Sequence, residues 1–216
     1  MFEACLKEKI ERVVYLSSTA VIAGNSEVPL TDDLPFCATN NYGQSKIEAE
    51  RVALQYRDKG LKTAIIRPPM VYGEEEPHLL SLIVRLIRWR LLPIIGEGNN
   101  KLHMVDIDNV VDVMLLCLSR NEAYEGTYIV ADNEVLSTKE FLGIIAEAID
   151  VRPPLHMHKS LIPFLEHTPF LKNKVTFFTK DRVYSIERIR DRLGYNPRIS
   201  IYDGLRRVAL ACRKKS

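Results

Sequence analysis

A run of Arg12-Val-Val-Tyr-Leu passes directly into Ser-Ser-Thr, and a second apolar run, Thr63-Ala-Ile-Ile, follows across a polar loop and a helix-patterned stretch. Val13, Val14, Tyr15 and Leu16 leave no polar residue to face water. That pattern belongs to a strand covered on both faces, not to one with a solvated side. Two such strands with a helix between them make an α/β fold the expectation. The chain has 216 residues, 46% of them hydrophobic, which is enough to bury a sizeable core in one domain or one and a half.

The connecting helix carries the chemistry. Tyr42 and Lys46 stand in Asn-Asn-Tyr-Gly-Gln-Ser-Lys with the spacing Y-x-x-x-K. Residues at i and i+4 project from one helical face, so the Lys46 ammonium can lie beside the Tyr42 phenol. A free phenol has a pKa of roughly 10, and a fixed cation beside it favours the phenolate. Such a pair can take or give a proton. A third group must hold a substrate hydroxyl or carbonyl, and Ser17, Ser18 or Thr19 at the strand end can supply it. On its own the spacing is weak, because a solvated helix face meets it by chance.

The order of the motifs is more specific. Ser-Ser-Thr19, Tyr42-x-x-x-Lys46, Arg67-Pro68-Pro69-Met70-Val71-Tyr72-Gly73, Gly96-Glu-Gly98, His103-Met-Val-Asp-Ile-Asp-Asn-Val-Val-Asp112, Leu193-Gly-Tyr-Asn-Pro197 and Asp203-Gly-Leu205 succeed one another along nearly the whole chain. The sequence resembles the extended short-chain dehydrogenase/reductase family. That family includes nucleotide-sugar epimerases and dehydratases, dihydroflavonol reductases and 3β-hydroxysteroid dehydrogenases. The resemblance implies part of a Rossmann-like doubly wound parallel sheet, its second half, with a smaller, mostly helical substrate lobe. Residues 1–150 would form the C-terminal half of the dinucleotide-binding domain with interleaved cleft segments, and 151–216 mainly the substrate lobe. It also implies hydride transfer between NAD or NADP and a carbinol or carbonyl. Thr19 would hydrogen-bond the substrate oxygen, Tyr42 would be the acid/base and also contact the cofactor, and Lys46 would bind the nicotinamide ribose while tuning Tyr42. Pro68 and Pro69 would form the turn beside the nicotinamide. X-Pro-Pro also ends a strand and fixes a turn wherever it occurs.

Members of the family begin with a strand, a glycine-rich turn and a helix whose N–H groups hold the dinucleotide pyrophosphate. The sequence contains neither G-x-x-G-x-x-G nor G-x-G-x-x-G, and Gly96-Glu-Gly98 lacks the strand before and the helix after. The expectation is therefore a chain truncated at its N-terminal side or completed by a partner, whose own hold on the cofactor is doubtful. The alternative to a truncated enzyme is a catalytically inactive fragment or partner-binding remnant of one. The strand at Arg12–Leu16 would then stand at an open sheet edge, which invites association, including a homodimer.

Composition narrows the remaining classes. A net charge of +2 gives no reason to expect nucleic acid, and Arg213-Lys-Lys215 reads as a solvated tail. Cysteines 5, 37, 117 and 212 form no C-x-x-C, which suits free thiols in a reducing compartment. Met1-Phe-Glu-Ala-Cys-Leu-Lys-Glu lacks the features of a signal peptide, so a cytoplasmic location is expected. Leu79 to Ile95 is apolar but interrupted by Arg85, Arg88, Arg90 and Pro93, too short and too charged to span a bilayer. It reads as a helix packed in the core or lining a cleft in preference to an interfacial one. His156 and His158 would share a face on a strand but have no third ligand at suitable spacing, so no metal is expected.

Farther on, Asp108–Ser119 carries Val110, Val111, Met114, Leu115 and Leu118 at helical spacing. Gly126–Val130 reads as a strand, and Ser137-Thr-Lys-Glu140 as a capping box opening a helix to about Ile149. A later helix is expected to be capped by Ser185 and closed by Gly194. Relatives that act on nucleotide sugars commonly place an asparagine after the proline turn and an arginine before the later strand. Here those places hold Met70 and Lys101. A thioether cannot donate a hydrogen bond to phosphate but packs well against an apolar ligand. Together with Phe164, Phe170, Phe177 and Phe178, Met70 favours a hydroxysteroid- or dihydroflavonol-like substrate, with nucleotide sugars as the alternative class.

Overall fold

A computed structural model describes residues 1–74, 79–158, 160 and 181–214; Phe164, Phe170, Phe177 and Phe178 lie outside these residues. In chain order the elements begin with helix α1 (Phe2–Lys7), strand β1 (Arg12–Leu16), a 3-10 turn at Thr19–Val21, α2 (Asn41–Asp58), β2 (Lys62–Arg67) and β3 (Met70–Tyr72). Then come α3 (Leu79–Arg88), β4 (Ile94–Ile95), β5 (Lys101–Leu102), β6 (Met104–Asp106), α4 (Ile107–Ser119), β7 (Thr127–Ile129) and β8 (Leu136–Ser137). The last are α5 (Thr138–Ala148), β9 (His156–Met157), α6 (Glu187–Leu193) and α7 (Ile201–Lys214). The chain folds into two compact units. The first is formed by residues 1–71, 104–133 and 184–198, the second by 72–103, 134–183 and 199–216.

In the first unit β1, β2 and β7 form a parallel sheet in the order β1-β2-β7, with β2 in the middle. The α/β class and parallel sheet expected from the sequence are what is seen. Period-two alternation sends neighbouring residues to opposite faces. Val14, Ala64 and Ile66 join Val110, Val113 and Cys117 of α4 in the larger core. Val13, Tyr15 and Ile65 face Phe2 of α1 and Ala53 of α2. The sheet is therefore covered on both sides, which is why its strands lack polar alternation. Among the described residues β1 is an edge strand.

In the second unit α3 packs against α5 and α7 and buries Leu80, Ile83, Val84 and Ile87, while Arg85 and Arg88 point outward. This is the core-packed reading of that segment. Among the described residues no helix is long and apolar enough to cross a membrane. The capping box at the start of α5 is formed: the Ser137 hydroxyl accepts from the Glu140 amide, and the Glu140 carboxylate accepts from the Ser137 amide at 2.7 Å. Gly194 ends α6 with φ 69°, a left-handed conformation that costs glycine nothing. Ser185 lies one residue further out than a cap, because Ile186 is the residue preceding α6, and its hydroxyl still accepts from the Glu187 amide at 3.3 Å.

One sequence expectation needs qualification. The helix over Asp108–Ser119 is present, from Ile107, but only part of its apolar spacing is core. Val110, Val113 and Cys117 are buried, whereas Val111, Leu115 and Leu118 are exposed. The apolar spacing predicts the helix, and its outer half, Val111, Leu115 and Leu118, meets solvent beside the edge strand it crosses.

Candidate active site

The C-terminal end of β1 runs into the residues of interest. The Ser17 amide donates to the Ile66 carbonyl at 2.8 Å and the Thr19 amide to the Pro68 carbonyl at 3.0 Å. These bonds lay the Ser17–Thr19 run along the Ile66–Pro68 run. Ser18 precedes the 3-10 turn, and its hydroxyl accepts from the Ala20 amide at 3.2 Å. Ser18 is thus spent on a local cap. Thr19 is 3% exposed and Ser17 is buried as well.

Helix α2 begins one residue before Tyr42. The Asn40 side-chain oxygen accepts from the Gly43 amide at 2.8 Å, satisfying one of the first-turn donors. Gly43 also sets how closely α2 approaches the turn that carries Thr19. A Cβ on this glycine would lie 2.7 Å from the Ala20 carbonyl oxygen and 2.9 Å from the Ala38 Cβ. No side chain fits that gap, so the residue beside Tyr42 must be glycine for α2 to press against Thr19–Val21.

Tyr42 is 55% exposed. One turn on, Lys46 is half-buried, with its ammonium 6.0 Å from the Tyr42 ring and 5.8 Å from the Tyr15 ring. It donates to the Leu16 carbonyl at 3.2 Å, at the end of β1. An ammonium carries three donors, so two remain for other acceptors. Burial, with Glu50 and Tyr42 nearby, raises the Tyr15 phenol above its ordinary value. Pro68 is buried and Pro69 and Met70 are half-buried at the end of β2 and start of β3. The structure therefore brings Thr19, Tyr42, Lys46, Pro68, Pro69 and Met70 into one unit. Lys101 belongs to the other unit, where it is exposed on β5 and its amide donates to Asp181 at 2.7 Å. His156 meets the Gly96 carbonyl at 2.7 Å and His158 the Ser160 hydroxyl at 2.9 Å.

Sequence reasoning missed Glu50 and Arg67. Glu50 is 0% exposed and Arg67 4%. The Ser17 hydroxyl donates to Glu50 Oε2 at 2.6 Å, and Arg67 Nε donates to Oε1 at 3.0 Å while its Nη2 pairs with the same oxygen. Arg67 Nη1 donates to the Asp32 carbonyl at 2.9 Å. A signal was present: Glu50 continues the i+4 series of Tyr42 and Lys46, and Arg67 immediately precedes Pro68.

Comparison with known proteins places the fold and the family. Residues 1–131 match the model of the NAD dependent epimerase/dehydratase family. The chain is 25% identical over 240 residues to a 3β-hydroxysteroid-dehydrogenase/decarboxylase isoform of Arabidopsis thaliana, covering 96% of this chain and 54% of that protein. It is 27% identical over 212 residues to a UDP-glucose 4-epimerase of Vibrio cholerae, covering 94% of this chain and 63% of the relative. The fold matches a UDP-glucuronic acid 4-epimerase of Bacillus cereus solved with NAD, with a TM-score of 0.80 at 18% identity, over 99% of this chain and 65% of that one. The chain thus spans somewhat more than half the length of the proteins it matches. It belongs to the NAD-dependent epimerase/dehydratase family, within the extended short-chain dehydrogenases/reductases.

Proposed function

We propose that this chain forms the substrate- and nicotinamide-facing part of an NAD(P)-dependent oxidoreductase or epimerase acting on a carbinol or carbonyl. The observation that carries the reading is the set of elements around α2. Gly43 presses the helix onto the turn bearing Thr19, and Lys46 is held at the end of β1 with its ammonium beside the Tyr42 ring. In this reading Tyr42 passes a proton to or from the substrate oxygen, and the Thr19 hydroxyl orients that oxygen. Lys46 uses its free donors on the nicotinamide ribose, and Pro68 and Pro69 bound the nicotinamide. The nicotinamide supplies or accepts the hydride at its C4 when bound. The residues suit that end of a dinucleotide, lying at the carboxyl ends of parallel strands, where such ligands bind. The sequence offers no glycine fingerprint for the pyrophosphate.

In this reading the cofactor side is carried by the unit of residues 1–71, 104–133 and 184–198, so the sequence division at residue 150 is not the division of the fold. Met70 lies on the substrate side and favours an apolar hydroxysteroid- or dihydroflavonol-like molecule. The relatives named above come from both classes, sterol and nucleotide sugar. Titration with NADH and NADPH, followed by thermal unfolding, tests the reading. A rise in melting temperature that saturates with dinucleotide is expected, and its absence for both would overturn it. Tyr42→Phe should abolish turnover while leaving that shift intact.

A second reading, an inactive chain that works only when joined by a partner, is favoured by the edge position of β1 among the described residues. An edge strand presents unpaired backbone groups to another chain. Light scattering decides it: a monomer with full dinucleotide affinity would exclude it.

A further inference from the structure

Among the described residues Glu50 is the one carboxylate that touches all three chain segments on which the candidate site is built. It sits on α2 one turn beyond Lys46, accepts from Ser17 two residues before Thr19, and pairs with Arg67 directly before Pro68. The geometry points to Glu50 and Arg67 as positioning residues, which fix the rotation of α2 against the Ser17–Thr19 and Arg67–Pro69 runs; the inference rests on the function proposed above.

A buried ion pair is a costly way to hold a fold. Two apolar side chains of similar volume often serve stability as well, because no charge has to leave water. What apolar residues cannot supply is direction. The backbone bonds Ser17 to Ile66 and Thr19 to Pro68 set the two strand ends in register with each other but do not reach α2, which Arg57 ties at its far end to the Thr63 and Gly126 carbonyls. Turning α2 by a few tens of degrees would swing Tyr42 and Lys46, which share its face, away from Thr19. Glu50 opposes this turn at two points, through Ser17 and through the forked guanidinium of Arg67, whose planar donors fix a direction that a single point charge would not. Arg67 in turn is held from the far side by the Asp32 carbonyl at 2.9 Å, and its guanidinium lies 5.6 Å from the Phe36 ring. Glu50, Arg67 and Ser17 are all buried, and Glu50 and Arg67 each have more than one partner, so the arrangement is stiff.

The test separates positioning from bulk stability. Glu50→Gln leaves the Arg67 guanidinium buried without its carboxylate and is expected to lower the melting temperature. The paired replacement Glu50→Leu with Arg67→Met is expected to regain most of that loss. In the paired variant the Thr19 amide should nevertheless exchange with solvent at least tenfold faster than in the unaltered chain, and NADH affinity should fall at least tenfold. A paired variant with unaltered stability, unaltered Thr19 exchange and unaltered affinity would overturn the proposal. If that variant does not fold, Ser17→Ala decides, because it removes one hydroxyl and nothing else. It should fold and speed Thr19 exchange several-fold; unchanged exchange overturns the proposal. Hydrogen exchange is read on the free chain, so it still decides on the network if the unaltered protein binds no dinucleotide and the proposed function fails.

Discussion

Among the described residues the parallel sheet has two edges of unlike character, although both flank the same strand. On the β7 side Ile129 and Tyr128 are fully buried. The outward amide of Ile129 is taken by the Asp32 carboxylate, Ile189 and Leu193 of α6 join the same core, and the Tyr195 hydroxyl donates to the Ala131 carbonyl at 3.1 Å. On the β1 side Val13, Val14 and Tyr15 are only half-buried and Leu16 is 41% exposed. The residues of β1 are as apolar as those of β7, so composition does not set the difference. What sets it is whether other segments of the chain return to cover the strand: residues from 32 and from 184 to 195 do so for β7, and α4 crosses β1 with half its apolar face still exposed. An apolar strand sequence states that a cover is needed without saying which element provides it.

Paired truncations break or sharpen this contrast. Ile129→Ala, at the covered edge, should cost about 3 kcal/mol by the usual range for buried aliphatic truncations, read from denaturant midpoints. The next effect is pH dependence. Burial raises the Asp32 carboxyl to about 6, opposed by the Ile129 amide and by Arg188 and Arg67. A folded pKa above the unfolded value means the native state binds the extra proton, so this group adds stability as pH falls through 6 and withdraws it as pH rises. The span between 3.8 and about 6 corresponds to about 2–3 kcal/mol. Asp32→Asn should remove that slope between pH 4 and 7 in thermal melts; an unchanged slope would show that Asp32 ionises normally. Val14→Ala, at the open edge, should cost about 1 kcal/mol, and a cost equal to that at Ile129 would mean that β1 is covered in solution. Smallest of all, Leu16→Lys should move stability by no more than about 0.5 kcal/mol while reducing any self-association seen by sedimentation, since a charge on an edge strand opposes pairing.

Much of this was legible in the sequence because it depends on local rules. The α2 helix, β2, the Ser137–Glu140 capping box and the glycine end of α6 follow from spacing and backbone preference, and they are all in place. Which half of the α4 face is buried was not legible, because spacing gives the direction of a helix face and not its neighbour; Leu115 and Val110 read alike until the edge of the sheet is known. Glu50 and Arg67 escaped notice for a different reason. A charged residue on a helix and another at a strand end are ordinarily solvated, and only the fold shows that they meet in a dry interior. At the site itself, Y-x-x-x-K fixed which side chains share a helical face, while the tight approach enforced by Gly43 needed coordinates to be seen.

The two units are threaded through one another along the chain, which passes from one to the other after residues 71, 103, 133, 183 and 198. Neither can be cloned as an uninterrupted stretch, and a single protease nick in any one connection leaves four covalent tethers holding the pieces. Gene fusion or swapping that treats either half as a portable cassette would therefore scramble both, so replacing one of them with that of a relative requires splicing three separate stretches at once.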